Sequence, residues 1–140
     1  MRLNRLTIKN ITSIEDATIN FNQAPLDNAP LFLICGETGS GKTTILDAIC
    51  LALYNKAPRM ANSPKEGIEG DNATDKHFTN DVRNFMRPNT GEAWSELEFE
   101  GNDGNIYTAK WYVSRARKKI DGTLQSVIWT FTDNKYNHLS

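Results

Sequence analysis

Cysteine is scarce in this sequence of 140 residues, which contains only Cys35 and Cys50. Neither belongs to a CxxC motif or to a cysteine/histidine spacing, so the sequence excludes a disulfide framework and a zinc site of the usual pattern. Both lie in apolar stretches, where a free cysteine ordinarily behaves as a small buried hydrophobic residue. We therefore expect both thiols to be buried and reduced.

The sequence also lacks a large net charge and a long hydrophobic run. Its formal net charge is -1, so any binding to nucleic acid depends on a local patch. The longest apolar stretch, Ile45 to Tyr54, is interrupted by Asp47 and is too short to span a bilayer. The amino terminus has no apolar signal-peptide core. These absences predict a cytoplasmic protein with no membrane partner.

What the sequence does contain is typical of about one folded domain, with 39% hydrophobic and 24% charged residues. Alternating apolar and polar residues predict a hairpin of two strands at "LNRLTIKN" and "ATINFN". The continuously apolar "LFLIC" predicts a strand buried on both faces. The residues from Thr43 to Tyr54 leave almost no polar face, so they predict a buried helix that ends before Pro58.

The second half of the chain predicts a loop followed by an antiparallel meander. Met60 to Asn80 is polar and contains glycine, the composition of a mobile loop. A short helix is predicted at "TNDVRNFM", with Thr79 or Asn80 as its cap. Three alternating stretches then predict the strands of the meander: "WSELEFEG", "IYTAKWYVSRARKK" and "TLQSVIWTFT".

One motif carries chemistry. The sequence "GETGSGKT", Gly36 to Thr43, matches G-x-x-x-x-G-K-[ST] and lies between a predicted strand and a predicted helix, the context that this motif requires. With ordinary residue frequencies the pattern arises by chance in about half a per cent of chains this long. Gly36, Gly39 and Gly41 allow successive N–H groups to converge on an anion at the positive end of the helix. The motif therefore predicts a loop that binds the phosphates of ATP.

The other residues of this loop have distinct predicted roles. Lys42 is the catalytic cation, placed against the outer phosphates where charge develops as the terminal phosphoryl group leaves. Thr43 supplies a hydroxyl ligand for Mg²⁺. Glu37 is expected to bind through its backbone while its side chain points to solvent. Further hydrogen bonds to phosphate are expected from Thr38, Ser40 and above all Thr44.

An acidic residue that would complete a magnesium site at the end of another strand is not evident. "WSELEFE" comes closest, but its glutamates alternate along one strand face. The sequence therefore predicts half of an ATPase site, which binds nucleotide but does not hydrolyse it alone.

Several stretches resemble the amino-terminal segment of the SbcC family, SMC-like ATPases of the SbcC-SbcD nuclease complex. The phosphate loop followed by "TTILDAICLALY" and "PR" carries most of this resemblance, which covers nearly the whole chain. Smaller matches support it: "L-x-I-K-N", "INF", "FMR", "ELEFE" and "RARKKIDGTLQ".

This resemblance implies an α/β fold, the amino-terminal lobe of an ABC/SMC-type P-loop head over residues 1–140. The lobe would have a mixed sheet, an antiparallel meander and one buried P-loop helix. A coiled coil and a carboxy-terminal lobe with the acidic magnesium strand would lie outside this chain, which is expected to be a fragment because it shows no heptad repeats. ATP and Mg²⁺ would be the cofactors, and hydrolysis would occur in a dimer of complete heads.

The resemblance also implies a function and partners. The chain would be the ATP-binding lobe of an ATPase that controls a nuclease in double-strand-break repair and in processing of DNA ends or hairpins. Its partners would be an SbcD-like nuclease subunit, double-stranded DNA and a second copy of the head. In relatives the turn after the first strand approaches the nucleotide, which here means Asn10, Thr12 and Ser13.

A basic cluster follows the second strand of the meander, with no acidic residue between Asp103 and Asp121. Such cations can neutralise DNA phosphates without reading sequence. The alternative is a solvated hairpin tip, and the resemblance favours DNA. The cluster comprises Lys110, Arg115, Arg117, Lys118 and Lys119.

Two other functions remain open from the residues. A transporter-type ATPase domain would share the phosphate loop, but "LDAICLALY" differs from the helix of those domains. A small P-loop kinase acting on a metabolite would need an arginine-rich lid and a complete acidic magnesium site, and neither is visible.

Overall fold

A computed structural model describes residues 1–61, 67–69, 76–133, 135 and 139. Five strands form one sheet in the order β2-β1-β5-β6-β7, and each of its pairings is antiparallel. Two short strands, β3 and β4, form a separate hairpin. The strands are β1 (Arg2–Ile11), β2 (Ile14–Asn20), β3 (Gly67–Glu69), β4 (Lys76–Phe78), β5 (Glu92–Glu100), β6 (Ile106–Ser114) and β7 (Ile128–Asp133).

The central strand β5 shows why the sheet has one buried face. Its residues alternate along the strand, so that Leu97 and Phe99 are buried while Glu96 and Glu98 point to the opposite, partly exposed face. This alternation was visible in the sequence, and the predicted hairpin of β1 and β2 and the predicted meander of β5, β6 and β7 are confirmed.

The helix α1 (Lys42–Tyr54) packs on the buried face of the sheet. Ser95 of β5 donates its hydroxyl to the carbonyl of Ala48 at 2.6 Å, and Trp129 of β7 donates its indole N–H to the carbonyl of Ala52 at 2.8 Å. The helix ends at Asn55, whose left-handed backbone allows its N–H to bond the carbonyl of Leu51. The sheet and α1 therefore enclose one core, in which Trp111 is fully buried.

The prediction that α1 is buried all round is wrong, because only one face of the helix meets the sheet. Ala48, Leu51 and Ala52 are fully buried, whereas Leu46 is 55% exposed. No described element covers the side of the helix that carries Leu46. At 13 residues α1 is too short to cross a membrane, and no other helix among the described residues could do so.

The predicted buried strand "LFLIC" is not formed in the structure. Residues 31–35 make no strand, and Leu31 and Leu33 are 86% and 87% exposed. Phe32 does turn inward, with its ring centroid 5.1 Å from that of Phe21. None of the described strands pairs with this segment, so its backbone has no ladder partner and the parallel part of the expected mixed sheet is missing.

The prediction that both cysteines are buried is wrong for Cys35 and only partly right for Cys50. Cys35, in the open segment, is exposed, whereas Cys50 on α1 is half-buried and both are free thiols. Burial, with a smaller contribution from the nearby Asp47 carboxylate, raises the pKa of the Cys50 thiol. Cys50 therefore behaves as an inert packing residue.

The region predicted as a loop, Met60 to Asn80, contains the β3–β4 hairpin, while residues 62–66 and 70–75 lie outside the described residues. The short helix predicted after it is a 3₁₀ turn, Val82–Phe85. Its cap is Asp81 rather than Thr79 or Asn80, since the Asp81 carboxylate accepts from the N–H of Arg83 at 2.9 Å.

Candidate nucleotide-binding site

The phosphate loop has backbone conformations that favour glycine. Gly39 and Gly41 have φ of +83° and +98°, in the left-handed region that other residues rarely adopt. At Gly36 a Cβ would lie 2.6 Å from the Ser40 hydroxyl oxygen, so the Ser40 side chain would have to move. The backbone therefore favours glycine most strongly at Gly39 and Gly41.

The loop leads directly into the amino terminus of α1. Gly41 is its N-cap, no side chain in the described residues caps the helix, and its first turn carries no acidic residue. The first N–H groups of a helix have no partner within the helix and carry its positive partial charge. This end of α1 can therefore donate hydrogen bonds to a bound anion.

Lys42 folds across the loop, where its ammonium group donates to the carbonyl of Gly36. Thr43 lies exposed in the first turn of α1, and Thr44 beside it is buried. The loop residues outside the helix are exposed, apart from buried Gly41. The exposed ones are Gly36, Glu37, Thr38, Gly39 and Ser40.

The turn between β1 and β2, which the resemblance places near the nucleotide, contacts the start of α1 through Thr12 and Ser13. The Thr12 and Thr44 hydroxyl oxygens are 2.8 Å apart, and the Ser13 hydroxyl lies 3.4 Å from that of Thr44. The side chain of Ile14 packs 3.4 Å from the position that a Cβ on Gly41 would take. The structure therefore brings Thr12, Ser13 and Thr44 together.

Asn10, at the end of β1, connects this turn to β5. Its side chain is buried and donates to the carbonyl of Glu92 at 2.9 Å, and its backbone is left-handed with φ of 50°. Asparagine tolerates this conformation better than most residues. The described contacts of Asn10 thus lie with β5 rather than with the phosphate loop.

A second support for the turn was missed in the sequence. Thr12 donates its N–H to the carbonyl of Phe85 at 2.8 Å, and Arg87 donates its own N–H to the carbonyl of Asn10 at 2.8 Å. The Arg87 guanidinium also donates to the carbonyls of Ser13 at 3.0 Å and Thr12 at 3.4 Å. In the sequence this segment was noted only because its tripeptide "FMR" matches the SbcC family, and that match gave no reason to expect a contact with the β1–β2 turn.

An ion pair between the buried Asp47 and the exposed Arg59 was also missed. The carboxylate of Asp47, on the buried side of α1, lies 2.6 Å from the guanidinium of Arg59, which sits over the ring of Phe85 at 4.9 Å. Burial raises the pKa of Asp47, and the Arg59 charge opposes that rise. In the sequence Asp47 was visible only as an interruption of an apolar run.

The loop geometry fits a polyphosphate, whereas the site offers little to a metal ion. Thr43 provides one hydroxyl oxygen, the kind of ligand that Mg²⁺ accepts. Among the residues that the structure describes, no group of three or more histidine, cysteine, aspartate or glutamate side chains could hold a metal.

The predicted basic cluster does not form one surface. Arg115 is buried, 5% exposed, and its guanidinium donates to the carbonyl of Gly122 at 3.2 Å, so its prediction as a surface contact for DNA is wrong. Lys110 lies 3.5 Å from the Glu96 carboxylate and over the ring of Trp94. Both side chains serve the fold rather than a free surface.

The rest of the cluster lies on a compact tip, residues 115–122, which we call the basic tip. Arg117, Lys118 and Lys119 are all exposed there. Lys118 lies 3.2 Å from the Glu92 carboxylate, whereas Arg117 and Lys119 form no ion pair with any residue that the structure describes. Arg117 and Lys119 are therefore the cations available to a ligand.

The basic tip is packed tightly against the start of β5. A Cβ at Gly91 would lie 1.9 Å from the carbonyl oxygen of Lys118, so only glycine fits there. Arg117 and Lys118 both have φ of 56°, a left-handed conformation that side chains disfavour. The surrounding contacts hold this tip in one shape.

Comparison with known proteins gives matches over most of the chain. A family model described as an AAA domain matches residues 5–139. The SbcC subunit of the nuclease SbcCD from Rhodobacter capsulatus is 42% identical over 128 residues, 91% of this chain and 10% of the relative. The protein of the same name from Pseudomonas aeruginosa is 38% identical over 126 residues, 89% of this chain and 10% of the relative.

These matches confirm the resemblance to SbcC that the sequence motifs indicated. A shorter match, to the protein of the same name from Vibrio cholerae, is 68% identical over 31 residues, 22% of this chain and 3% of the relative. The chain spans about a tenth of the length of the first two relatives.

Proposed function

Because this chain belongs to the AAA domain family, we propose that it is the ATP-binding lobe of an SbcC-like ATPase. One observation carries the proposal: a glycine-dependent loop opens onto the uncapped amino terminus of α1, and the β1–β2 turn contacts that terminus through Thr44. This arrangement offers backbone N–H groups and helix charge to a polyphosphate.

The chemistry of binding follows from the positions of Lys42 and Thr43. The Lys42 ammonium would exchange its bond to the Gly36 carbonyl for bonds to the outer phosphates, where it stabilises the developing negative charge. Thr43 would offer its hydroxyl to Mg²⁺, which would bridge and neutralise the outer phosphates. The contacts of the Thr44 hydroxyl with those of Thr12 and Ser13 would fix the end of the loop where α1 begins.

We propose further that residues 1–140 form one lobe of a head that sequence outside this chain completes. The exposed apolar residues Leu31, Leu33 and Leu46 support this proposal, because a stable surface rarely carries such side chains beside a binding loop. In the complete head, residues 31–35 would become a sheet strand and a second lobe would supply the acidic magnesium ligand. ATP hydrolysis would require two complete heads.

The wider role is proposed from the resemblance to SbcC, and the names of the relatives support its association with a nuclease. The complete protein would act with an SbcD-like nuclease subunit on double-stranded DNA, in the repair of breaks and the processing of ends or hairpins, in the cytoplasm. Nucleotide bound between two heads would hold them together, and hydrolysis would release them. A transporter ATPase and a metabolite kinase are the alternatives, and neither is favoured by relatives that are named as the SbcC subunit of a nuclease.

DNA contact is proposed for the basic tip only. Arg117 and Lys119 are exposed cations on a rigid tip, which suits contact with phosphates rather than bases. The open face of the sheet is less suitable, because its cations Arg5 and Lys110 are paired with glutamates of β5, and this strand presents four carboxylates there. They belong to Glu92, Glu96, Glu98 and Glu100.

The test of ATP binding is the substitution Lys42→Ala in the complete natural protein. It removes a charged donor to phosphate and no core volume, so the affinity for MgATP should fall by about 10- to 100-fold while the thermal unfolding midpoint stays unchanged. Calorimetric titration measures the affinity. Lys56→Ala, which removes an exposed lysine just beyond α1, is the matched control and should bind normally.

Equal MgATP affinity of the Lys42→Ala and wild-type proteins would contradict the assignment. Failure of the wild-type protein to bind MgATP at all would contradict it as well.

A further inference from the structure

We propose that Arg87 is a positioning residue for the nucleotide site, acting through the β1–β2 turn on the first turn of α1. The inference rests on the proposed function for the identity of the ligand. The geometry itself is independent of the ligand, because it concerns how one side chain fixes a strained turn against the phosphate loop.

The turn needs an external support because its backbone is strained. Asn10 and Thr12 have φ of 50° and 43°, in the left-handed region, although neither is glycine. This conformation is unfavourable for a residue other than glycine and persists only where the surroundings impose it. For threonine, whose side chain branches at Cβ, the conformation is especially unfavourable.

Segment 85–87 provides this support through hydrogen bonds to three successive parts of the turn. The backbone bonds join Thr12 to Phe85 and Arg87 to Asn10, each at 2.8 Å. The Arg87 guanidinium then donates to the carbonyl of Ser13 at 3.0 Å and, more weakly, to that of Thr12 at 3.4 Å. Only the guanidinium reaches the far side of the turn.

The far side of the turn is the part that contacts the phosphate loop. The hydroxyls of Thr12 and Ser13 lie 2.8 and 3.4 Å from the hydroxyl of Thr44. Thr44 is buried at 5% exposure in the first turn of α1, where the N–H groups for phosphate are presented. If the turn relaxed, Thr44 would lose its partners at the point where the anion binds.

Arginine suits this role better than lysine. Its planar guanidinium presents several donors in fixed directions, so a single nitrogen contacts two neighbouring carbonyls while the stem stays in place. A lysine at this position keeps the charge and has three donors, but it lacks the fixed planar geometry that directs them at these two carbonyls. Arg87→Lys should therefore recover part of the effect of Arg87→Ala.

The first experiment measures MgATP affinity in the complete natural protein by calorimetry. Arg87→Ala should weaken binding about tenfold, which corresponds to the loss of one or two hydrogen bonds that hold the site. The MgATP affinity of Arg87→Lys should lie between those of Arg87→Ala and the wild-type protein. The matched control is Arg83→Ala, which removes a cation from the neighbouring 3₁₀ turn where Arg83 pairs with Asp81, and should bind MgATP like wild type.

A double-mutant cycle separates positioning through Thr44 from general damage. Thr44→Val keeps the shape of the side chain and removes the hydroxyl that the turn contacts. In the Thr44→Val background, Arg87→Ala should cause no further loss of affinity, because the two substitutions interrupt one chain of contacts. A full tenfold loss in that background would overturn the proposed route.

A third measurement needs no nucleotide. Backbone amides of residues 10–14 should exchange hydrogen at least tenfold faster in Arg87→Ala than in wild type, while those of β6 stay unchanged. If Arg87→Ala does not fold, Arg87→Lys serves for the same comparison. Unchanged exchange in a folded variant would overturn the inference even if the wild-type protein binds MgATP, and failure of the wild type to bind would contradict only the proposed function.

Discussion

Asp47 illustrates the cost of a single charge in this fold. Its carboxylate is buried between α1 and the sheet, and the only cation that an ion pair brings to it within the described residues is Arg59. Burial raises the pKa of Asp47 more than the Arg59 charge lowers it. For an acid with a raised pKa in the folded state, the stabilising contribution is present at low pH and is lost as pH rises through that pKa.

This residue gives a pH-dependent prediction. Arg59→Met should lower the free energy of unfolding at pH 7 by about 2 kcal/mol, because it leaves a buried carboxylate without its cation, although Arg59 is itself partly exposed. The loss should shrink as pH is lowered toward 4, since Asp47 can then take up a proton. Chemical denaturation at several pH values measures it.

The double variant Asp47→Asn with Arg59→Met is the control and should recover most of the lost stability at pH 7, because it removes both charges. A loss that does not change with pH would show that Asp47 stays charged throughout and would contradict the prediction.

At the scale of single residues, the sequence predicted those that belong to a motif and missed those that act through the fold. Gly36 to Thr43 were predicted from the motif spacing, Thr44 as a further phosphate contact, and Thr12 and Ser13 from the resemblance. Arg87 could not be predicted, because its role depends on a contact across 74 residues of chain. Arg115 was misassigned because a cation in a run of cations gives no sign that it is buried.

At the scale of elements, the segment 31–35 and α1 both expose apolar side chains. The ring of Phe32 contacts that of Phe21 at a tilt, with the centroids 5.1 Å apart, while Leu31 and Leu33 are open. On α1 the face with Leu46 is open. Both open faces lie next to the phosphate loop, one before it and one after it in the chain.

The proposal of a completing lobe predicts that Leu33 matters only in the complete protein. Leu33→Asn should change the free energy of unfolding of the 140-residue chain by less than about 0.5 kcal/mol, as for other exposed positions. In the complete protein it should cost about 2 kcal/mol, the value for a leucine that becomes buried. Thermal and chemical denaturation of both forms measure the difference.

Leu6→Ala is the matched control, because Leu6 is fully buried and should cost about 3 kcal/mol in both forms. Equal, small effects of Leu33→Asn in both forms would contradict the idea that this segment joins a sheet.

The sequence predicted these elements unevenly for a physical reason. Strands β1, β2, β5 and β6 alternate because their neighbours and their covering helix lie within the chain. "LFLIC" has the hydrophobic pattern of a strand that is buried on both faces. Such a pattern indicates which environment a segment can occupy, but it does not show whether the neighbouring strands that would bury it are present. The pattern also failed to distinguish the 3₁₀ turn at Val82–Phe85 from a helix.

At the scale of the whole molecule, the small net charge hides an uneven distribution of charged groups over the surface. The net charge is only -1, and on the open sheet face Arg5 and Lys110 pair with carboxylates of β5, whereas the exposed Arg117 and Lys119 on the basic tip form no ion pair among the described residues. Burial raises the pKa of Glu92, but hydrogen bonds from Tyr112 and Lys118 and the charges of Lys118 and Lys110 lower it below its usual value. The proposed DNA contact therefore depends on the cations of the tip.

The tip gives a salt-dependent prediction. Arg117→Glu combined with Lys119→Glu in the complete protein should weaken double-stranded DNA binding and reduce the slope of log affinity against log salt by about 2, because two phosphate contacts are lost. Fluorescence anisotropy at several salt concentrations measures both. Lys56→Glu, a charge reversal at the end of α1, should leave the slope unchanged, and an unchanged slope in the tip variant would contradict DNA contact there.

Glu92 contacts both the β1–β2 turn and the basic tip. Its carbonyl accepts from Asn10 of the β1–β2 turn, while its carboxylate accepts from Tyr112 and pairs with Lys118 of the basic tip. The preceding Gly91 leaves no space beside the tip. The number of residues between Arg87 and Glu92 is therefore fixed from both ends: inserting or deleting one residue would displace the turn and the tip together. This connection should tolerate substitution at Pro88 but no change of length, and Asn89, with φ of 59°, has a left-handed backbone that most other side chains disfavour.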